Sequence, residues 1–107
     1  MSIKPEEING KDLEKILGEG KVLVDFYSIN CGPCKMLGFV LNEVAKEVGD
    51  NVKIVKINFD ENKEVIDKYG VEGYPTLILF NKGQEVQRVK GLQQKTAIIK
   101  MINTGEA

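Results

Sequence analysis

Apolar residues recur along this chain at two spacings, about 3.6 and 2 residues, and the changes of spacing mark its elements. Ile3-Lys4 forms at most a short edge strand, stopped by Pro5. Leu13, Ile16 and Leu17 then follow helical spacing. Asn9 stands as N-cap, Asp12 sits at the third helical position beside the positive helix end, and Gly18 or Gly20 closes the helix. Val22 to Ser28 is apolar on both faces: Val22, Val24 and Phe26 point one way, Leu23, Asp25 and Tyr27 the other. Such a run suits a central strand with helices on both sides. Helical spacing returns after residue 35 and runs to about Val48. Leu37, Leu41, Val44 and Val48 form a stripe widened by Val40 and Ala45. Met36 and Phe39 are assigned to the core, and Gly38 marks a close approach to another backbone or a local bend.

The second half continues the alternation. Val52 to Phe59 is a second mostly apolar strand, in which Lys56 shares a face with Val52 and Ile54. Asp60-Glu61-Asn62-Lys63-Glu64 reads as the solvated start of a helix that buries Val65, Ile66 and Tyr69 and stops at Gly70. A tight connector, Val71 to Thr76, enters the short strand Leu77 to Phe80. Asn81-Lys82-Gly83 turns into the alternating strand Glu85 to Val89, and Gly91 ends it. A closing helix carries Ala97, Ile98, Ile99, Met101 and Ile102, with fraying after Asn103. The strand-helix-strand unit predicts a parallel pair, and the later hairpin adds antiparallel strands. No repeat, linker or low-complexity stretch interrupts this order, so residues 1–107 are expected to form one domain.

Composition narrows the function classes. With 15 basic and 16 acidic residues mixed along the chain, the net charge of -1 gives no footprint for nucleic acid or a membrane surface. No apolar run approaches the roughly 20 residues of a membrane span, and Met1 to Glu7 lacks a signal-peptide pattern. The expected location is the cytoplasm. There are 2 cysteines and no histidine, which argues against a disulfide framework and for redox or metal chemistry.

Both cysteines lie in Asn30-Cys31-Gly32-Pro33-Cys34-Lys35, at the junction of a strand and a helix. Backbone N–H groups and the helix dipole favour thiolate at the first cysteine, and thiolate is the attacking species in disulfide exchange. Cys31 would attack a substrate disulfide and Cys34 would resolve the mixed disulfide, leaving Cys31–Cys34 oxidised. Pro33 pre-sets a first-turn backbone angle, and Gly32 leaves room for a substrate chain. Asp25, an ionisable group in an apolar strand six residues before Cys31, is a functional candidate. Lys56 is its candidate counter-charge if the two strands are neighbours. Other readings of the pair are weaker. Zinc or an iron–sulfur cluster would need ligands shared between two chains, and haem attachment needs His where Lys35 stands. Two inert buried cysteines remain the bland alternative.

With these residues in view, the chain resembles the thioredoxin family over nearly its whole length. The likeness rests on Val24-Asp25-Phe26, Cys31-Gly32-Pro33-Cys34-Lys35-Met36, Lys56 to Asn62, Tyr69-Gly70-Val71, Tyr74-Pro75-Thr76-Leu77 and Gly91. The resemblance implies an α/β thioredoxin fold, a central mixed five-stranded sheet flanked by four helices. It implies Cys31 as nucleophile, Cys34 as resolving thiol, Asp25 as the buried acid handling the latter's proton, and Lys56 as nearby cation. Pro75 matches the cis-proline beside the disulfide, and Gly73, Tyr74 and Gly91 match the surface where a substrate strand docks.

The implied function is protein-disulfide reduction in cell redox homeostasis, with no cofactor or metal beyond the redox-active disulfide. The implied partners are a flavin- or ferredoxin-linked reductase and disulfide-containing proteins, met by a monomer. The chain departs from the family pattern at Asn30 and Tyr27, where Trp is usual, at Phe39, where a helix-kinking proline is usual, and at Tyr74, where a small or β-branched residue is usual. Asn30 and Tyr74 motivate the alternatives, a binding subunit on this fold or a specialised redoxin with a dedicated reductase or target.

Overall fold

Nine regular elements build the described part of the chain: β1 (Glu6–Glu7), α1 (Gly10–Leu17), β2 (Lys21–Tyr27), α2 (Gly32–Val48), β3 (Lys53–Asn58), α3 (Lys63–Tyr69), β4 (Thr76–Asn81), β5 (Gln84–Lys90) and α4 (Lys95–Thr104). The computed structural model describes residues 5–18 and 20–105. The strands form one mixed five-stranded sheet in the order β1-β3-β2-β4-β5. β1, β3 and β2 run parallel, β4 pairs antiparallel with both β2 and β5, and β5 forms the far edge. The sheet carries helices on both faces, as the two-sided apolar pattern of β2 requires.

One face carries Val22, Val24, Phe26, Val55, Ile57, Ile78 and Phe80 against Leu13 and Leu17 of α1 and Val65 and Ile66 of α3. The other carries Leu23, Ile54, Leu77 and Leu79 against Leu37, Leu41 and Val44 of α2 and Ile98, Met101 and Ile102 of α4. Each fully buried Leu, Ile or Phe contributes roughly 1.5–3 kcal/mol of transfer free energy, so these two layers are the main source of stability. The period-2 assignment of β2 holds residue by residue.

Several local expectations change. Ile3-Lys4 lies outside the described residues, and the edge strand that is described, Glu6–Glu7, follows Pro5 instead of preceding it. Met36 and Phe39, expected in the core, are 54% and 68% exposed. The buried stripe of α2 is Cys34, Leu37, Leu41, Val44, Ala45 and Val48, and at 100° per residue Met36 and Phe39 lie about 60° apart on the face turned away from it. Gly38 admits a side chain instead of a backbone: a Cβ there would stand 3.8 Å from the Lys56 ammonium. The charge run from Asp60 splits into a 3-10 turn, Phe59–Glu61, and then α3. Ala97 is exposed, α4 extends one residue past Asn103 to Thr104, and the Gly105 carbonyl accepts a hydrogen bond from Asn81 Nδ2 at 3.2 Å.

Asn9 starts α1 with an extended backbone, but its side chain makes no capping bond. Instead the Gly10 N–H donates to Asn62 Oδ1 at 2.8 Å, so one orphan donor of α1 is satisfied by the residue that precedes α3. At the hairpin, Lys82 and Gly83 adopt positive φ angles of 53° and 84°, the mirror-image turn that fits the twist of flanking strands.

Candidate functional site

The chain leaves β2 at Tyr27 and reaches the start of α2 within five residues, so the cysteines are held between a buried strand and a buried helix. Cys31 has an extended backbone and serves as N-cap of α2, and its Sγ accepts the Cys34 N–H at 3.1 Å. The Cys31 carbonyl accepts the Lys35 N–H at 3.2 Å. Sulfur thus occupies the place an oxygen takes in an ordinary cap, among backbone donors that favour negative charge. The two cysteines form a disulfide with Cα atoms 5.2 Å apart. They are 8% and 3% exposed, whereas Asn30, Gly32 and Pro33 around them are open to solvent. Pro33 lies in the first turn, and a Cβ at Gly32 would meet nothing within 4 Å.

Register places the other expected residues at the same end of the sheet. Phe26 pairs with Thr76 and Thr76 with Lys90, so Pro75 and Gly91 follow the end from which the chain departs toward Cys31. The Tyr74–Pro75 bond is cis. The Gly91 N–H donates to the Pro75 carbonyl at 2.8 Å, and Thr76 Oγ1 donates to the Gly73 carbonyl at 2.8 Å. Gly91 has a φ of 86°, a conformation that favours glycine. Tyr74 is partly exposed and rests edge-on against Phe59, with ring centroids 5.1 Å apart. Gly73, Tyr74, Pro75 and Gly91 are therefore brought together as expected.

Asp25 is fully buried on the sheet face covered by α2, and neither carboxyl oxygen has a hydrogen-bond partner among the described residues. Burial raises its pKa to about 7, the Lys56 cation partly offsets this, and the Glu7 carboxylate adds to it. Lys56 is its register partner on β3. The expected pairing is looser than an ion pair: the Lys56 ammonium lies over the Tyr27 ring, 4.7 Å from its centroid. Tyr27 in turn donates its hydroxyl to Glu7 Oε1 at 2.5 Å, and its phenol is pushed up by burial and by that carboxylate.

Sequence reasoning missed the supports of this site. Ser28 Oγ donates to Asp60 Oδ2 at 2.7 Å, tying the loop before Cys31 to the Phe59–Glu61 turn. That turn is braced by Asn58 Oδ1, which accepts the Asp60 N–H at 2.8 Å, and by Asn62 Nδ2, which donates to the Asn58 carbonyl at 2.8 Å. Ile29 and Leu92, 61% and 48% exposed, add apolar surface at this end of the sheet. Each is an apolar residue in a loop context, a detectable signal; the Ser28–Asp60 and Tyr27–Glu7 contacts have no local signal because they join distant segments.

Among the described residues, no group of three or more His, Cys, Asp or Glu is placed to hold a metal ion, and no helix is long and apolar enough to cross a membrane. A cleft of about 440 Å³ lies away from the disulfide, between the starts of α1 and α3, lined by Lys11, Glu14, Asn62, Lys63 and Lys68. Lys68 and Glu14 pair there.

A family model described as Thioredoxin matches residues 4–104. Thioredoxin of Bacillus subtilis is 47% identical over 85 residues, covering 79% of this chain and 82% of the relative. Thioredoxin of Chlamydia caviae is 43% identical over 96 residues, covering 90% and 93%. Among solved structures, a mutant thioredoxin from Halobacterium salinarum superposes with a TM-score of 0.88 at 36% identity, covering 97% of this chain and 92% of that one. Chloroplastic thioredoxin z gives 0.85 at 32% identity, covering 96% and 95%.

Proposed function

Given that the chain belongs to the thioredoxin family and is a thiol-disulfide oxidoreductase that reduces protein disulfides, we propose that Cys31 is the attacking thiolate and Cys34 the resolving thiol. The observation that carries this assignment is the hydrogen bond from the Cys34 N–H to Cys31 Sγ at the start of α2. It gives Cys31, and not Cys34, the helix-end stabilisation of a negative sulfur.

In the reduced protein, Cys31 thiolate attacks one sulfur of a target disulfide, forming a mixed disulfide and releasing the other target sulfur as thiolate. Asp25 takes the proton of Cys34. The Cys34 thiolate attacks Cys31 Sγ, and the second target sulfur leaves. The target gains two electrons as its disulfide opens, and the Cys31–Cys34 bond forms. A raised carboxyl suits this task, since a base with a pKa near working pH both accepts and returns a proton. Lys56 tempers the charge Asp25 acquires.

Gly73, Tyr74, Pro75 and Gly91 form the surface on which a target strand is laid, and Asn30, Gly32 and Pro33 tune the pair. The reaction is carried by the cysteines themselves. Family membership implies a reductase and disulfide-containing protein targets; we read the reductase as flavin- or ferredoxin-linked. The protein is read as a cytoplasmic monomer and residues 1–107 as one domain, in keeping with a match over 4–104 and a near-neutral, mixed-charge surface. Insulin reduction with dithiothreitol as electron source tests the activity. Acceleration over dithiothreitol alone is expected, and none would overturn the reading.

A further inference from the structure

Glu7, Lys56 and Asp25 stand side by side on three neighbouring parallel strands, because Glu7 and Asp25 are both register partners of Lys56. One cation is thus flanked by two carboxyl groups, one at the exposed edge of the sheet and one fully buried. The described ion pairs include neither carboxyl with Lys56; its ammonium rests on the Tyr27 ring, 4.7 Å from the centroid, and close to Gly38 of α2. The Tyr27 hydroxyl is held by Glu7 at 2.5 Å. Glu7 therefore spends its carboxylate on the ring that seats the cation instead of on the cation itself.

We infer that Glu7 and Tyr27 are positioning residues for exchange: the Glu7–Tyr27 hydrogen bond fixes the ring on which Lys56 rests and so fixes how much of that cation's field reaches Asp25. The groups facing Asp25 are few. Lys56 approaches from β3, Glu7 acts from β1, and Tyr27 lies on its own strand. Its partner on β4 is Leu77, and the buried residues of α2, among them Cys34, Leu37 and Leu41, carry no formal charge. Glu61 also acts on Tyr27. Within this set, the Glu7 carboxylate is the outer group that can change the balance between Lys56 and Asp25. The Tyr27–Glu7 pair also gives a role to a residue that departs from the family pattern.

The inference rests on Asp25 taking part in exchange, so the test reads the Asp25 carboxyl itself, which separates the two. Carbon-13 NMR of aspartate-labelled oxidised protein follows the carboxyl titration in wild type, Glu7→Gln, Tyr27→Phe and Lys56→Met. Lys56→Met sets the scale by moving the midpoint up. Glu7→Gln keeps a hydrogen-bond acceptor but removes a negative charge, and is expected to move the midpoint down by about half a pH unit. Tyr27→Phe frees Glu7 to follow Lys56, drawing the cation from Asp25 and moving the midpoint up. The pH profile of insulin reduction should move with each midpoint. An unmoved midpoint in Glu7→Gln overturns the assignment whatever Tyr27→Phe does. A shifted Glu7→Gln with an unmoved Tyr27→Phe overturns the holding role of the hydroxyl.

Discussion

Asp25 and Lys56 are register partners on adjacent parallel strands, yet the ammonium of Lys56 rests on Tyr27 and both Asp25 oxygens lack a hydrogen-bond partner among the described residues. The buried acid is thus near a positive charge without being neutralised by it. Desolvation outweighs attraction, and the carboxyl titrates near pH 7 instead of 3.8.

That imbalance fixes a pH dependence of stability. The folded state binds the Asp25 proton more tightly than the unfolded chain does, so its contribution is fully present below pH 3.8 and is lost as pH rises through about 7. Tenfold tighter proton binding is worth about 1.4 kcal/mol, so the whole loss is about 4 kcal/mol at most. Asp25→Asn removes the ionisation. Urea unfolding of the oxidised protein should show the variant gaining on wild type by about 2.5 times as much at pH 8 as at pH 5. Equal differences at the two values would show that Asp25 ionises without penalty.

The same substitution should be costly in turnover. Asp25→Asn is expected to slow insulin reduction near neutral pH by on the order of 10²-fold, the lower range for a lost general base. Its rate-pH profile should lose the inflection near 7. A profile that keeps its shape would make Asp25 a structural residue alone.

The two cysteines should fail differently. Cys31→Ser abolishes turnover, because no attacking thiolate remains. Cys34→Ser still attacks and accumulates mixed disulfides with targets, visible by non-reducing electrophoresis and mass spectrometry. Identical behaviour of the two variants would reverse or void the assignment of roles.

Helix α2 allows a test of its two sides. Phe39→Ser, on the exposed side, should change unfolding free energy by no more than about 0.5 kcal/mol. Leu37→Ala, fully buried, should cost roughly 2–5 kcal/mol. Denaturant titration of both variants measures the contrast, and a large loss in Phe39→Ser would place that ring in a packed environment.

Much of this architecture was legible because burial imposes periodicity. The alternation of β2 correctly assigned Val24 and Leu23 to opposite layers, and the stripe from Leu37 to Val48 correctly oriented α2. Met36 and Phe39 were misread because apolar character alone does not say which side of a helix a residue takes; phase against Leu37 and Leu41 does. The cysteine pair, Asp25, Lys56 and Pro75 were visible because their residue types are unusual in their contexts. Glu7, Ser28 and Asp60 were not. Their partners are 20 and 32 residues away along the chain, and an ordinary Glu, Ser or Asp carries no mark of a long-range contact.

The Lys82–Gly83 turn, finally, decides how this molecule can be handled. It lies at the opposite end of β4 from Pro75, a six-residue strand and so about 20 Å away. Both turn residues face solvent, and the turn is anchored by the Lys82 N–H donating to the Gly20 carbonyl at 2.9 Å. A chain tethered to a support at this turn alone would present its disulfide outward, with the Tyr74–Pro75 and Gly91 loops unobstructed. For an immobilised catalyst, orientation is thereby set by a single surface position remote from the chemistry.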